Sequence, residues 1–197
     1  MAIDAKLPLR FLGERVQLGF VIKDMDSTIK YWTETMRIGP FVVIEKSRGD
    51  RDIFYRGKPT LVDYSIGFAY MGDVQIEFIQ QTNGEPSPYK DFLDSGREGY
   101  HHVAYWPKDF LAACAHLEEN GFSEISSVRM KDGTLNVVYY ESPAHIGAIV
   151  EIVPLTADRV AYFGRIQRLS QTWDGVTRPM RRFADRAAFL ASGEGAE

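Results

Sequence analysis

Residues 16–24 read VQLGFVIKD and residues 101–109 read HHVAYWPKD. A shift of 85 positions pairs Gln17 with His102, Gly19 with Ala104, and Lys23-Asp24 with Lys108-Asp109. Both segments read as strands, and each precedes a helical stretch, STIKYWTETMRIG in the first copy and FLAACAHLEENGF in the second. Under the same shift Ile29 falls on Cys114 and Trp32 on Leu117, three apart in both copies, as the buried stripe of a helix requires. Asp26 or Ser27 is suited to cap the first helix, and Gly39 and Gly121 stand where the two helices should stop.

Working outward, strand-like runs follow each helix. They are FVVIEKS, LVDYSIGFAYM and DVQIEFIQ in the first half, and SEISSVRM, TLNVVYYES and GAIVEIVPL in the second. Turn signals at Met71-Gly72-Asp73, Lys131-Asp132-Gly133 and Pro143-Ala144-His145 separate them. The unit is strand, helix and three strands, used twice, at about residues 14–81 and 99–155: an α+β fold of two βαβββ modules within residues 1–155. The connection TNGEPSPYKDFLDSGRE carries a short helix over 89–93.

Residues 156–197 belong to neither copy and read as a helical C-terminal extension. TADRVAYFGRIQRLSQTW spaces Val160, Phe163, Ile166 and Leu169 three apart, and a second helix is expected over 179–190, before a disordered tail SGEGAE. Seven arginines against five acidic residues leave this segment at +2. A solvated appendage packing on the sheet or on a second subunit is the preferred reading over an anion-binding arm.

Composition bounds the function. The 197 residues are 45% apolar, 25% charged and 13% aromatic, a folded globular profile. A net charge of −4 supplies no global field for nucleic acid or an anionic membrane. A lone Cys114 excludes a disulfide framework and thiolate-built zinc sites, so any metal must be held by nitrogen and oxygen. MAIDAKLPLRFLGER lacks the uninterrupted apolar region of a leader, and no apolar run spans a bilayer, so a cytoplasmic location is expected.

Strand alternation decides which side chains face the sheet's concave side. In the first strand Val16, Leu18, Phe20 and Ile22 make the apolar face toward the helix, leaving Gln17, Gly19 and Val21 opposite. The same logic places His102, Ala104 and Trp106 on the concave face and His101 away from it. Glu77 and Glu151 each interrupt a buried-looking strand, which is costly unless a cation or hydrogen-bond partner satisfies them.

Taken singly, each of these residues reads as an edge or surface group. Together, Gln17 and His102 occupy equivalent first-strand positions, and Glu77 and Glu151 equivalent last-strand positions. One amide, one imidazole and two carboxylates on a cleft suit Zn²⁺, Co²⁺, Ni²⁺ or Mn²⁺, with Gly19 and Ala104 leaving room beside them. His116 and His145 read as solvated or turn residues, Cys114 as core, and Glu45 as either a second acid or base or an exposed residue.

The segments QLGFVIKD, VQIEFIQ, SGREGYHHVAY and GAIVEIVP resemble the vicinal oxygen chelate superfamily, which includes glyoxalase I, methylmalonyl-CoA epimerase, extradiol dioxygenases and bleomycin-resistance proteins. The resemblance covers about residues 14–155 and is nearest the epimerase-like branch through GEPSPYKDFLDSGREGYHHVA. It implies a metal-binding cleft between paired modules, with ligands at Gln17, Glu77, His102 and Glu151. Gln17 departs from the histidine usual in epimerases, and the order Gln, Glu, His, Glu is similar to zinc-type glyoxalase I.

The implied chemistry is metal-assisted proton transfer α to a carbonyl or thioester, by an isomerase, epimerase or lyase, with Glu151 as first choice of base and Glu77 as its acid–base partner. The implied partners are a small-molecule substrate, acyl-CoA among the candidates, and a second copy in a homodimer. One histidine disfavours the iron-dependent dioxygenase alternative, and retention of four ligands disfavours a non-catalytic resistance-type binder. Tyr64, Phe68, Tyr70, Tyr105, Trp106 and Tyr140 are pocket candidates, and Arg48, Arg51, Arg56 and Arg129 are candidate anchors for a phosphate or carboxylate.

Overall fold

Alternating side chains fix how the first strand sits. β1 (Val16–Val21) turns Leu18 and Phe20 onto Met25 and Ile29 of α1 (Met25–Tyr31), while Val21 joins the core on the other side of the sheet. The cap of α1 is Asp24, not Asp26 or Ser27: its carboxylate accepts from the Ser27 N–H at 2.7 Å. The helix continues as a π-helical turn, Trp32–Met36, and ends at Arg37 with φ 58°, two residues before Gly39.

The computed structural model describes residues 8–196; the leader expectation falls partly on residues 1–7, outside the described residues. The first module continues through β2 (Phe41–Ile44), β3 (Asp52–Tyr55), β4 (Lys58–Thr60), β5 (Tyr64–Met71) and β6 (Val74–Gln81). After the linking helix α2 (Pro88–Asp94), the second runs through β7 (Gly99–Tyr105), α3 (Phe110–Glu119), β8 (Ser123–Arg129), β9 (Leu135–Glu141) and β10 (Ile149–Ile152). Phe110, Cys114 and Leu117 of α3 pack on Val138, Tyr140, Val150 and Ile152, so Cys114 is core as expected. The remaining elements are α4 (Ala157–Thr172), β11 (Met180–Phe183) and α5 (Arg186–Ala191).

All strands join one sheet in the order β11-β2-β5-β6-β1-β7-β10-β9-β8-β3-β4. The first module contributes six strands and the second four, each module with its first strand parallel to its last, and the two meet where β1 runs antiparallel to β7. This is the expected α+β pair of βαβββ modules with a C-terminal extension. Both modules come from one chain, so one chain alone brings the two halves of the cleft together.

Three elements differ from the sequence reading. The β3–β4 hairpin turns through Arg56 and Gly57, both at positive φ (48° and 74°), and crosses to pair β3 with β8 of the other module. Residues 179–190 are not one helix. Their first part is β11, pairing parallel with β2, where Phe41 donates to Pro179 O and Glu45 to Phe183 O. An open edge of β2 offered backbone partners that helical periodicity cannot register. The tail is tied down rather than disordered through Ala196: Glu194 accepts from Arg178 and Arg181 at 2.8 and 2.7 Å, and Gly195 O from Arg168 at 2.8 Å.

The buried face of α4 is Tyr162, Ile166 and Leu169, a shifted version of the expected stripe in which Val160 and Phe163 are only half-buried. These residues and Phe189 of α5 pack in the same core as Val21, Phe68 and Trp106, covering the concave side of the sheet. Among the described residues no helix is long and apolar enough to cross a membrane. Ile166 is completely buried, so Ile166→Ala is expected to cost about 2–5 kcal/mol, read as a lower urea midpoint at unchanged m.

A candidate metal centre and its cavity

The seam between β1 and β7 places the candidate residues. Gln17 lies opposite Ala104 and Gly19 opposite His102; outside them, Glu77 flanks Gly19 and Glu151 flanks Ala104. An exchange of the two modules therefore superposes Gln17 on His102 and Glu77 on Glu151. All four side chains stand on the concave face, and all four are buried, His102 completely.

Glu77, His102 and Glu151 converge. One ligand atom from each lies within 4.8 Å of the others, a group that could hold a metal ion. His102 Nε2 is 3.3 Å from Glu77 Oε2 and 2.9 Å from Glu151 Oε2. These are ion-pair separations, yet none of the three atoms has a hydrogen-bond partner, and Gln17 Oε1 is likewise buried without one. Four buried atoms without hydrogen-bond partners, one on each candidate residue, fit the donor set of a divalent cation better than a completed polar network.

Neighbours orient these groups. The Gln17 amide donates to Gln75 Oε1 at 2.6 Å, and Gln75 donates to Tyr70 OH at 2.9 Å, so Gln17 is left with its carbonyl oxygen free. The His102 ring lies directly over Gly19: a Cβ there would be 1.9 Å from Cε1 and 2.1 Å from Nε2. Only glycine fits at this position.

His101 departs from the alternation argument. The β1–β7 register jumps from Gly19↔His102 to Phe20↔Tyr100, so His101 is the extra residue of a bulge. Its Nδ1 lies 3.0 Å from His102 Nδ1, and its ring meets Phe92 and Tyr89 at 5.1 and 5.8 Å. Burial pushes His101 down to about 3, keeping it neutral and able to accept the His102 Nδ1–H. That directs His102 Nε2 at the carboxylates. No feature of the HH pair announces the bulge.

The electrostatics of the centre pull in opposite directions. Burial raises Glu77. Burial also disfavours the charged form of His102, but the adjoining Glu151 and Glu77 outweigh it and hold the imidazole above its ordinary value. A proton on His102 is what the buried carboxylates attract when no stronger cation is present.

Gln17, Glu77 and Glu151 open onto a cavity of about 930 Å³. Tyr64, Phe68 and Trp106 line it as expected, whereas Tyr140 faces the α3 core and Tyr70 backs Gln75. Sequence reasoning missed the contribution of the extension: Arg159, Tyr162, Phe163 and Arg186 form one wall, with the Phe163 ring 5.0 Å from Phe68 and 5.1 Å from Trp106. Arg51 also lines the cavity, while Arg48 pairs with Asp63 and Arg56 with Asp91. His145 is exposed, His116 stacks edge-on with Phe11, and Glu45 is exposed and paired with Arg182.

A family model described as glyoxalase/bleomycin resistance protein/dioxygenase superfamily matches residues 16–140. The chain belongs to this superfamily. No curated protein matches it by sequence. Similar solved structures include methylmalonyl-CoA epimerase from Mycobacterium tuberculosis, at 15% identity and TM-score 0.53, covering 79% of this chain and 97% of that one. A Streptomyces coelicolor methylmalonyl-CoA epimerase variant in complex with 2-nitronate-propionyl-CoA gives 18%, 0.51, 73% and 96%. A hypothetical protein from Bacillus halodurans C-125 gives 17%, 0.53, 73% and 94%. At these identities the likeness shows the fold alone.

Two outcomes follow from the geometry. Gly19→Ala is expected to drive His102 from its place and lower Zn²⁺ uptake at least tenfold with the far-ultraviolet dichroism unchanged, checked by elemental analysis after dialysis. Because His102 is held protonated near neutrality, Zn²⁺ must displace that proton. With Glu77 raised to about 7 as well, uptake should release between one and two protons at pH 7 and weaken as pH falls from 8 to 6, measured by calorimetry in buffers of different ionisation enthalpy.

Proposed function

We propose that this protein is a metal-dependent isomerase, epimerase or lyase that moves a proton α to the carbonyl or thioester of a small substrate. The observation that carries the reading is the set of orphaned buried atoms, Gln17 Oε1, Glu77 Oε2, His102 Nε2 and Glu151 Oε2, facing the cavity side of the sheet. These four residues would hold a divalent ion, Zn²⁺, Co²⁺, Ni²⁺ or Mn²⁺. When bound, such an ion acidifies the α proton by withdrawing charge from the substrate carbonyl.

The chain's own residues divide the remaining work. Glu151 accepts the α proton, and Glu77, its counterpart across the pseudo-twofold axis, holds a proton to return. Gln17 contributes an oxygen that cannot compete for the proton. The aromatic wall of Phe68, Trp106 and Phe163 keeps water from the reacting carbon. A single imidazole beside two carboxylates supports proton transfer over an iron-dependent dioxygenase reaction, whose usual site takes two histidines and one carboxylate. The epimerase neighbours lend support at the level of fold, and cytoplasmic location and a homodimer belong to this same proposal.

A second reading has one observation in its favour: a large aromatic cavity suits a protein that sequesters a small molecule without turnover. Solvent-deuterium incorporation at the α carbon, screened over hemithioacetal, acyl-CoA and hydroxy-ketone substrates with the Zn²⁺- or Co²⁺-loaded protein, separates the two. Glu151→Gln is expected to keep its fold and some metal but lose ~10²–10⁴-fold in exchange rate, since an amide can ligate but cannot accept the proton. Wild-type exchange in that variant, or oxygen uptake with a catechol, would overturn the assignment.

A further inference from the structure

The cavity lining has an unusual composition. Three arginines from three elements, Arg51 before β3, Arg159 in the first turn of α4 and Arg186 at the start of α5, line the cavity that Glu77 and Glu151 enter. None of the three is ion-paired with a carboxylate among the described residues. Arg159 donates to Pro154 O and Asn136 O, each at 3.2 Å, and to Asn136 Oδ1 at 2.8 Å. Arg51 donates to Arg48 O and Ser47 O. Arg186 donates to Asp158 O and lies over the Tyr162 ring at 4.3 Å. Neutral carbonyls thus fix all three guanidinium groups without cancelling their charge. Two aspartates also line the cavity: Asp185 is committed as the cap of α5, accepting from Ala188 N–H at 2.8 Å, and Asp158 is exposed in the first turn of α4, making no ion pair with the three arginines among the described residues.

We propose that the C-terminal extension makes this cavity an anion-recognising one, and that its ligand is a compact, largely apolar carbonyl compound carrying a carboxylate held by Arg159, Arg51 and Arg186. Like charges grouped around a half-buried site repel one another, and an anion bound among them relieves that repulsion while making charge-assisted hydrogen bonds. Burial depresses Arg159 to about 10, with Arg51 and Arg186 adding to the effect and Glu151 opposing it. The shared cavity also limits the ligand. The three arginines line the same cavity of about 930 Å³ as Glu77 and Glu151, so one compact molecule can meet both ends, whereas the phosphates of coenzyme A are separated from their thioester by a long pantetheine arm. The aromatic residues between the two ends take the apolar body.

The inference rests on the proton-transfer reading for the carbonyl end, but its test does not depend on turnover. Calorimetric titration of the full-length protein with 4-phenylbutyrate and with its uncharged amide is the direct measurement, with coenzyme A as competitor. The acid should bind at least tenfold more tightly than the amide, and should lose at least tenfold in Arg159→Gln, in Arg51→Gln and in the variant at the exposed Arg186, Arg186→Gln. Binding should persist in His102→Ala, which the metal reading expects to be metal-free. Equal binding of acid and amide, no binding of the acid at millimolar concentration, or wild-type affinity in all three arginine variants would overturn it. Coenzyme A displacing the acid with the same arginine dependence would overturn the compact-ligand class. Acid binding lost only in His102→Ala would place the carboxylate on the metal, overturning the arginine site while leaving proton transfer intact.

Discussion

Two carboxylates buried beside one imidazole constrain everything around the seam of this sheet. Glu77 and Glu151 cannot be removed from water as free anions without large cost, and His102 alone sits between them. The supporting contacts serve that arrangement. Glycine at position 19 lets the ring lie flat against β1, the bulge at His101 supplies an acceptor for the far ring nitrogen, and the Gln75–Tyr70 pair turns the Gln17 amide so that its oxygen stays available. A proton on His102 satisfies the carboxylates in part. A divalent ion would satisfy the orphaned Gln17 oxygen as well.

Pairing β1 with β7 achieves this within one chain. The antiparallel seam sets Gln17 against Ala104 and His102 against Gly19, so each bulky ligand faces a small residue across the axis. A large residue at either small position would occupy the volume the centre needs. The twofold relation between modules thereby sets two carboxylates in symmetry-related places, the arrangement that the proposed delivery of a proton to one face and its removal from the other would use.

The extension alters what the fold can bind. Without it the concave face would be an open trough lined by Tyr64, Phe68 and Trp106; with it, α4 and α5 close one side and bring in Arg159 and Arg186. The same segment protects an edge, since β11 takes up the backbone groups that β2 would otherwise expose. Stability and ligand selection are therefore coupled here: Tyr162 packs into the core while its ring carries the Arg186 guanidinium.

Much of this was legible in the order of residues. The repeat of VQLGFVIKD in HHVAYWPKD, the alternation of Leu18 and Phe20 against Gln17 and Gly19, and the carboxylates in VQIEFIQ and IVEIV determined two βαβββ modules and the face on which Gln17, Glu77, His102 and Glu151 lie, because strand and helix periods are local properties of the chain. What escaped was non-local. Whether His101 alternates or bulges depends on the register of a strand 80 or so residues away. MRRF becomes a strand because β2 presents an unpaired edge, DIFY because β8 does, and the expected periphery, α4, becomes a wall because Tyr162, Ile166 and Leu169 find an apolar concavity to fill. Local sequence sets the period of each element; only the assembled sheet decides which edges are open, which faces are vacant, and therefore where the arginines of the last forty residues come to rest.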